Sequence, residues 1–271
     1  MDAAVSGLKN HQTLLDVTAN NIANVNTIGY KASRATFADS LSQMQIGATA
    51  PGNGQAGHNA AQVGLGVQLA SIDNLMSGGS LEATGETTDV AIEGEGMFVV
   101  ADGTPPAVPA VVEYTRAGNF TFNDEGYLTN QDGEYVLGRT EPGAGAPNSY
   151  IKVPEGATAV SIGQDGSVSY VPEEGSERVT AGYLSIARFA NEAGLVRTTG
   201  SNWIESAASG KAQDGTPGGD FGLTISGTLE MSNVELATEF TNMIDAQRGF
   251  EANSRVISTA DEMLQNLVNL R

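Results

Sequence analysis

Residues 232–271 read SNVELATEFTNMIDAQRGFEANSRVISTADEMLQNLVNLR. Leu236, Met243, Phe250, Ile257 and Leu264 recur at every seventh position, and Ala246, Asn253, Ala260 and Leu267 fill the companion position three further on. This is the pattern of a coiled-coil seam. Ser232, with Glu235 three residues later, gives a capping-box signal for the helix start, and no proline interrupts the run to Leu270. A helix of that length spans about 57 Å at 1.5 Å per residue. Its narrow apolar edge needs a partner.

The opposite end of the chain offers one. From Ala3 to about Asn24, Val5, Leu8, Leu15, Ala19 and Ile22 share one helical seam, with Gln12 as a polar interruption. Asn20, Asn21, Asn24 and Asn26 then compete for backbone hydrogen bonds, and Gly29 supplies an exit turn before Tyr30, Lys31 and Arg34. Four amides near a helix end mark either fraying or hydrogen bonding to another chain.

The segment Ala19 to Lys31, ANNIANVNTIGYK, resembles the N-terminal signature of bacterial flagellar rod and hook proteins. Glu230 to Val234 and Ala246 to Phe250 resemble their C-terminal signature, and the likeness continues through Asp89 to Phe98 and Tyr114 to Phe120. It covers essentially the whole chain. The resemblance implies terminal helices that form an inner tube and a connector that packs on neighbouring subunits. It also implies delivery through the flagellar type III export apparatus.

Composition is compatible with that. The net charge is -19, which disfavours nucleic acid or an anionic membrane surface, since phosphate binding needs clustered Lys and Arg. The absence of cysteine removes disulfides and thiolate sites. No basic stretch followed by an apolar run opens the chain, and no apolar run is long enough to span a bilayer. Export without a cleaved signal peptide, and no membrane insertion, are therefore expected.

Between Ala35 and Gly66 small and polar residues predominate, the composition of an extended connector. From Val67 to Gly227 short alternating runs such as Val67–Ile72, Met97–Val100 and Tyr114–Phe122 predict strands. The turns Asn123–Gly126, Gln131–Gly133 and Gln164–Gly166 punctuate them. All nine prolines lie between Pro51 and Pro217, which sets a loop-rich β module apart from helical ends.

No constellation of catalytic residues emerges. The Asp-Gly loops hold too few acids for calcium, Glu93-Gly94-Glu95-Gly96 lacks nucleotide-loop spacing, and His11 and His58 each stand alone. Neither catalytic residues nor cofactors are expected.

The predicted fold class is α+β. N- and C-terminal helices pair as a coiled-coil-like axial domain, and an extended arm joins them to a central, mostly antiparallel β domain. The boundaries are 1–34, 35–66 (connector), 67–227 (outer domain) and 228–271. The candidate assembly interface comprises Leu8, Leu15, Asn20, Asn21, Ile22, Asn24, Gly29 and Tyr30 at one end. At the other it comprises Leu236, Met243, Gln247, Arg248, Phe250, Asn253, Ile257, Leu264 and Leu267. Gln247, Arg248 and Asn253 are either register-fixing polar residues or the wet face of a helix.

The expected function is that of a structural subunit assembling into a helical tube. The hook is favoured, in a short form, because Glu230–Val234 and Leu264–Arg271 look hook-like and no inserted segment follows Phe37. The distal rod is the alternative. A secreted hydrolase or calcium-dependent adhesin with helical ends is the reading from another class. Expected partners are further copies of the chain, neighbouring rod and hook-filament junction proteins, and the export apparatus. The expected location is the flagellum, as extracellular hook or basal-body rod.

Overall fold

The computed structural model describes residues 2–48, 59–103, 105, 112–143, 147, 149–173, 177–219 and 221–269. The chain divides into two compact units, one built from 1–23, 33–75 and 234–271, the other from 24–32 and 76–233.

The first unit holds both long helices, α1 (Asp2–Ala23) and α2 (Leu236–Asn269), which pack on one another. Gly7 faces Asn253, Gly249 faces the His11 ring, and Asn21 hydrogen-bonds Glu239, so the helices run antiparallel. At 1.5 Å per residue α1 is about 33 Å long and α2 about 51 Å. This register leaves nothing of α1 opposite the last turns of α2, and residues 261–269 are all exposed.

On α2 the expected seam holds through its middle: Met243, Phe250, Asn253, Ile257 and Ala260 are half-buried and Ala246 is buried. On α1 it is displaced by one position. The buried residues are Ala4, Gly7, Thr18 and Asn21, whereas Val5 is 43% exposed. Small residues win because they let the backbones approach closely. The polar ones are internally satisfied: Thr18 Oγ1 donates to Leu14 O at 2.7 Å, and Asn21 exchanges two hydrogen bonds with the Ser33 backbone.

The helix start also needs correcting. Helix α2 begins at Leu236, four positions after Ser232, and Glu235, just before it, accepts a hydrogen bond from Thr238 Oγ1 at 2.9 Å. Ser232 is buried and belongs to the other unit. Leu270 lies outside the described residues.

The stretch expected as a connector is extended but paired. Strands β1 (Ser33–Asp39) and β4 (Val67–Asn74) run antiparallel with a bulge at Thr36/Phe37. Strands β2 (Ser42–Ile46) and β3 (Ala61–Gly64) continue the same hairpin outward. Residues 49–58 of the expected connector lie outside the described residues.

The second unit is antiparallel β. Its main sheet runs in spatial order through 158–162, 167–171, 179–184, 135–139, 97–101, 113–115, 202–204 and 196–197. Every residue of strand Met97–Ala101 is buried. Pleat alternation sends Phe98 and Val100 into one core with Phe120, Leu128, Ile151 and Leu184. Met97, Val99 and Ala101 enter a second core with Tyr114, Phe189 and Trp203. Edge-on aromatic pairs brace each, Phe98–Phe120 at 5.1 Å and Tyr114–Phe189 at 4.8 Å between ring centroids. All three expected Asp-Gly turns close hairpins, with Gly126, Gly133 and Gly166 at positive φ.

Candidate assembly site

Parts of both sequence signatures, 24–31 and 230–233, meet inside the β unit. Glu230 ends strand Thr228–Glu230, and its carbonyl accepts the Gly29 N–H at 2.8 Å. Its carboxylate is enclosed: Lys31 Nζ donates to Oε1 at 2.6 Å, the Gly79 N–H to Oε1 at 2.9 Å, and Arg116 Nη1 to Oε2 at 3.2 Å. Lys31 also donates to Ser77 O, and Arg116 to Ile92 O and Gly94 O. Asn233 extends the knot, accepting the Ala32 N–H on Oδ1 at 2.8 Å.

Lys31, Arg116 and Glu230 are all buried, so their desolvation is offset by mutual pairing together with these backbone hydrogen bonds. Burial alone would push the Glu230 carboxyl up, but Arg116 and Lys31 outweigh it and hold it below the usual carboxylate range. Burial lowers the Lys31 ammonium, and its pairing with Glu230 does not fully compensate. The directions fit two cations that share the hydrogen-bonded Glu230 carboxylate, with Glu192 adding a weaker charge interaction with both.

The same knot consumes residues expected on an interface. Gly29 (φ +66°) lies so close to the segment that follows strand Glu113–Thr115 that a Cβ would sit 2.5 Å from Ala117 N. Tyr30 is buried with the Arg197 guanidinium 4.4 Å from its ring centroid, and Arg197 donates to Lys31 O at 2.9 Å. Asn21 is buried within the helical unit. All three are buried in the chain's own fold.

The other candidates fall in two groups. Leu8, Leu15, Ile22, Met243, Phe250, Asn253 and Ile257 are half-buried in the helical unit, and Asn24 lines a cavity of about 400 Å³ with Asn26, Asn119, Asn130 and Asn202. Asn20, Leu236, Gln247, Arg248, Leu264 and Leu267 are exposed, Leu264 at 52% and Leu267 at 67%. Sequence reasoning did not single out Arg116 or Glu230. The available signal was a lone charge inside each quoted motif, with no hint of which lone charges pair.

Comparison with known proteins matches residues 1–31 to a flagella basal body rod protein family. It matches 91–170 to the flagellar hook protein FlgE/F/G D1 domain and 225–270 to the flagellar basal body rod FlgEFG protein C-terminal family. A flagellar basal-body rod protein FlgG from Bacillus subtilis is 45% identical over 271 residues, covering 99% of this chain and 97% of its own length. The chain belongs to the flagellar rod and hook protein family.

Other relatives in the family include the flagellar basal-body rod protein FlgG of Caulobacter vibrioides, 37% identical over 99% of this chain and 97% of its own. The flagellar hook protein FlgE of Borreliella burgdorferi is 25% identical over 441 aligned positions, 99% of this chain and 98% of its own. The family is structural, not enzymatic, and its members build polymeric flagellar parts. The expectation of a hook subunit over a rod subunit finds less support than its alternative: the Bacillus and Caulobacter rod proteins align over 271 and 272 positions, whereas the hook protein aligns over 441.

Proposed function

We propose that this chain is a distal-rod subunit that polymerises into a helical tube. The observation that carries the reading is end-to-end correspondence with rod proteins at matched length. The hook relative needs 441 aligned positions where this chain has 271 residues.

In this reading α1 and α2 pair in a coiled-coil-like axial layer, and the β unit forms the outer layer. The outward-facing Leu236, Leu264 and Leu267 on α2 favour this arrangement, because an isolated chain leaves them in water. Heterologous contacts between identical copies that do not close into a ring grow a filament. The partners are further copies, adjoining rod and hook subunits, and the export apparatus. Antibody labelling of isolated basal bodies tests the assignment. Label confined to the straight segment below the hook is expected; label along the curved segment would overturn it in favour of the hook.

A further inference from the structure

The cavity that Asn24 shares with Asn26, Asn119, Asn130 and Asn202 lies wholly within the β unit and holds about 400 Å³. That is the lower end of the range for small-molecule sites, roughly 300–1,000 Å³, and far more than a single water needs. Its floor is polar and buried, formed by Thr115, Asn130 and Asn202. Its rim of Asn26, Gln131, Asp132 and Gly200 is exposed.

A carboxylate outside the lining orients that floor. Asn130 Nδ2 and Asn202 Nδ2 both donate to Glu134 Oε2, at 2.7 and 2.6 Å, and Asn130 Oδ1 accepts the Glu134 N–H at 2.8 Å. An ionised carboxylate only accepts, so it fixes which way both amides point. The Asn202 carbonyl oxygen is left without a partner among the described residues, as are the side-chain amides of Asn26 and Asn119. At the rim, a Cβ on Gly200 would sit 2.6 Å from Asp132 Oδ2, so glycine is what lets that carboxylate lie against the turn.

We propose that this cavity binds a neutral mono- or disaccharide. The wall chemistry selects the ligand. Among the described residues no Lys or Arg lines it to take a phosphate or a carboxylate. Asp132 is its one carboxylate, too little charge for a calcium site. Ile28 and Ala117 supply a small apolar patch, enough for one face of a sugar ring and too little for a lipid. A sugar hydroxyl both donates and accepts, and a side-chain amide does the same, so Asn26, Asn119 and Asn202 can meet neighbouring hydroxyls with complementary groups. The site belongs to the β unit alone and stands whether the chain builds rod or hook.

Saturation-transfer NMR on the full-length chain tests it, with maltose, N,N′-diacetylchitobiose and trialanine as the added compounds. Transfer to at least one sugar is expected, with Kd on the order of 1 mM. Asn26→Leu combined with Asn119→Leu should weaken that binding about tenfold or more, because two partnerless amides go while Glu134 and its contacts stay. Asp132→Leu, confined to the exposed rim, is the second variant and should weaken it as well. An unchanged Trp203 urea curve verifies that each variant is folded. No transfer to either sugar, equal transfer in both variants, or binding of trialanine in place of the sugars overturns the site.

Discussion

Lys31 and Glu230 stand 199 positions apart in the chain and 2.6 Å apart in space, both buried. This contact, with Arg116 on the other carboxylate oxygen, joins the first and last segments of the β unit. Glu230→Gln leaves two buried cations without their ion-pair partner and should destabilise the unit by about 3–5 kcal/mol. Trp203, the sole tryptophan and fully buried in this unit, reports the loss in urea unfolding by fluorescence.

The same cluster sets an acid limit. The Glu230 carboxyl is held below its ordinary range, so its stabilisation is complete above the unfolded value of about 4.3 and disappears as pH falls through the lower folded value. Stability followed by Trp203 fluorescence should therefore fall as pH drops below about 4. Lys31→Met removes one of the two cations, and its acid-induced loss should be smaller.

Asp214 acts in the opposite direction. Burial pushes its carboxyl up to about 6, and Arg139 offsets this only in part. A raised folded value means that the folded protein binds more protons, so stability falls as pH rises from about 4 to about 6. Asp214→Asn should remove that slope and raise the neutral-pH urea midpoint relative to the unmodified chain.

Two glycines make a matched pair. Gly29 and Gly133 both have positive φ, but a Cβ at Gly133 meets nothing within 4 Å, while one at Gly29 meets the Ala117 backbone. Gly133→Ala should cost about 1 kcal/mol of backbone strain. Gly29→Ala should cost at least about 3 kcal/mol, since backbone rather than a movable side chain stands in the way.

Gly249 faces the His11 ring across the helix pair. Gly249→Ala gains about 1 kcal/mol of helix propensity but drives a methyl into that ring, and hydrogen-exchange protection of α1 should fall. Adding His11→Ala should restore it, a coupling a double-mutant cycle reads directly.

The helices and most strands were legible because periodicity of 3.5 or 2 survives in single residues: Met243, Phe250 and Ile257 on α2, Phe98 and Val100 in the central strand. The α1 seam was misplaced because size, rather than hydrophobicity, decides close helix packing; Gly7 and Thr18 look unremarkable in a list of apolar positions. The β2–β3 ribbon was hidden by Gly, Ala and Gln, which read as linker although Met44, Ile46 and Val63 alternate. The helix start was placed too early: Ser232 is buried in the β unit and α2 begins only at Leu236. The Lys31–Arg116–Glu230 knot was not legible at all, because no local pattern says which lone charges meet.

The central claim is that copies of this chain polymerise through the exposed apolar edge of α2. Sedimentation with electron microscopy of the concentrated unmodified chain beside Leu264→Asp tests it most directly. The account predicts tubes from the unmodified chain, and from Leu264→Asp only soluble protein whose Trp203 unfolding curve is unchanged. Tubes from Leu264→Asp at the same concentration, or an unmodified chain that stays monomeric, would contradict it.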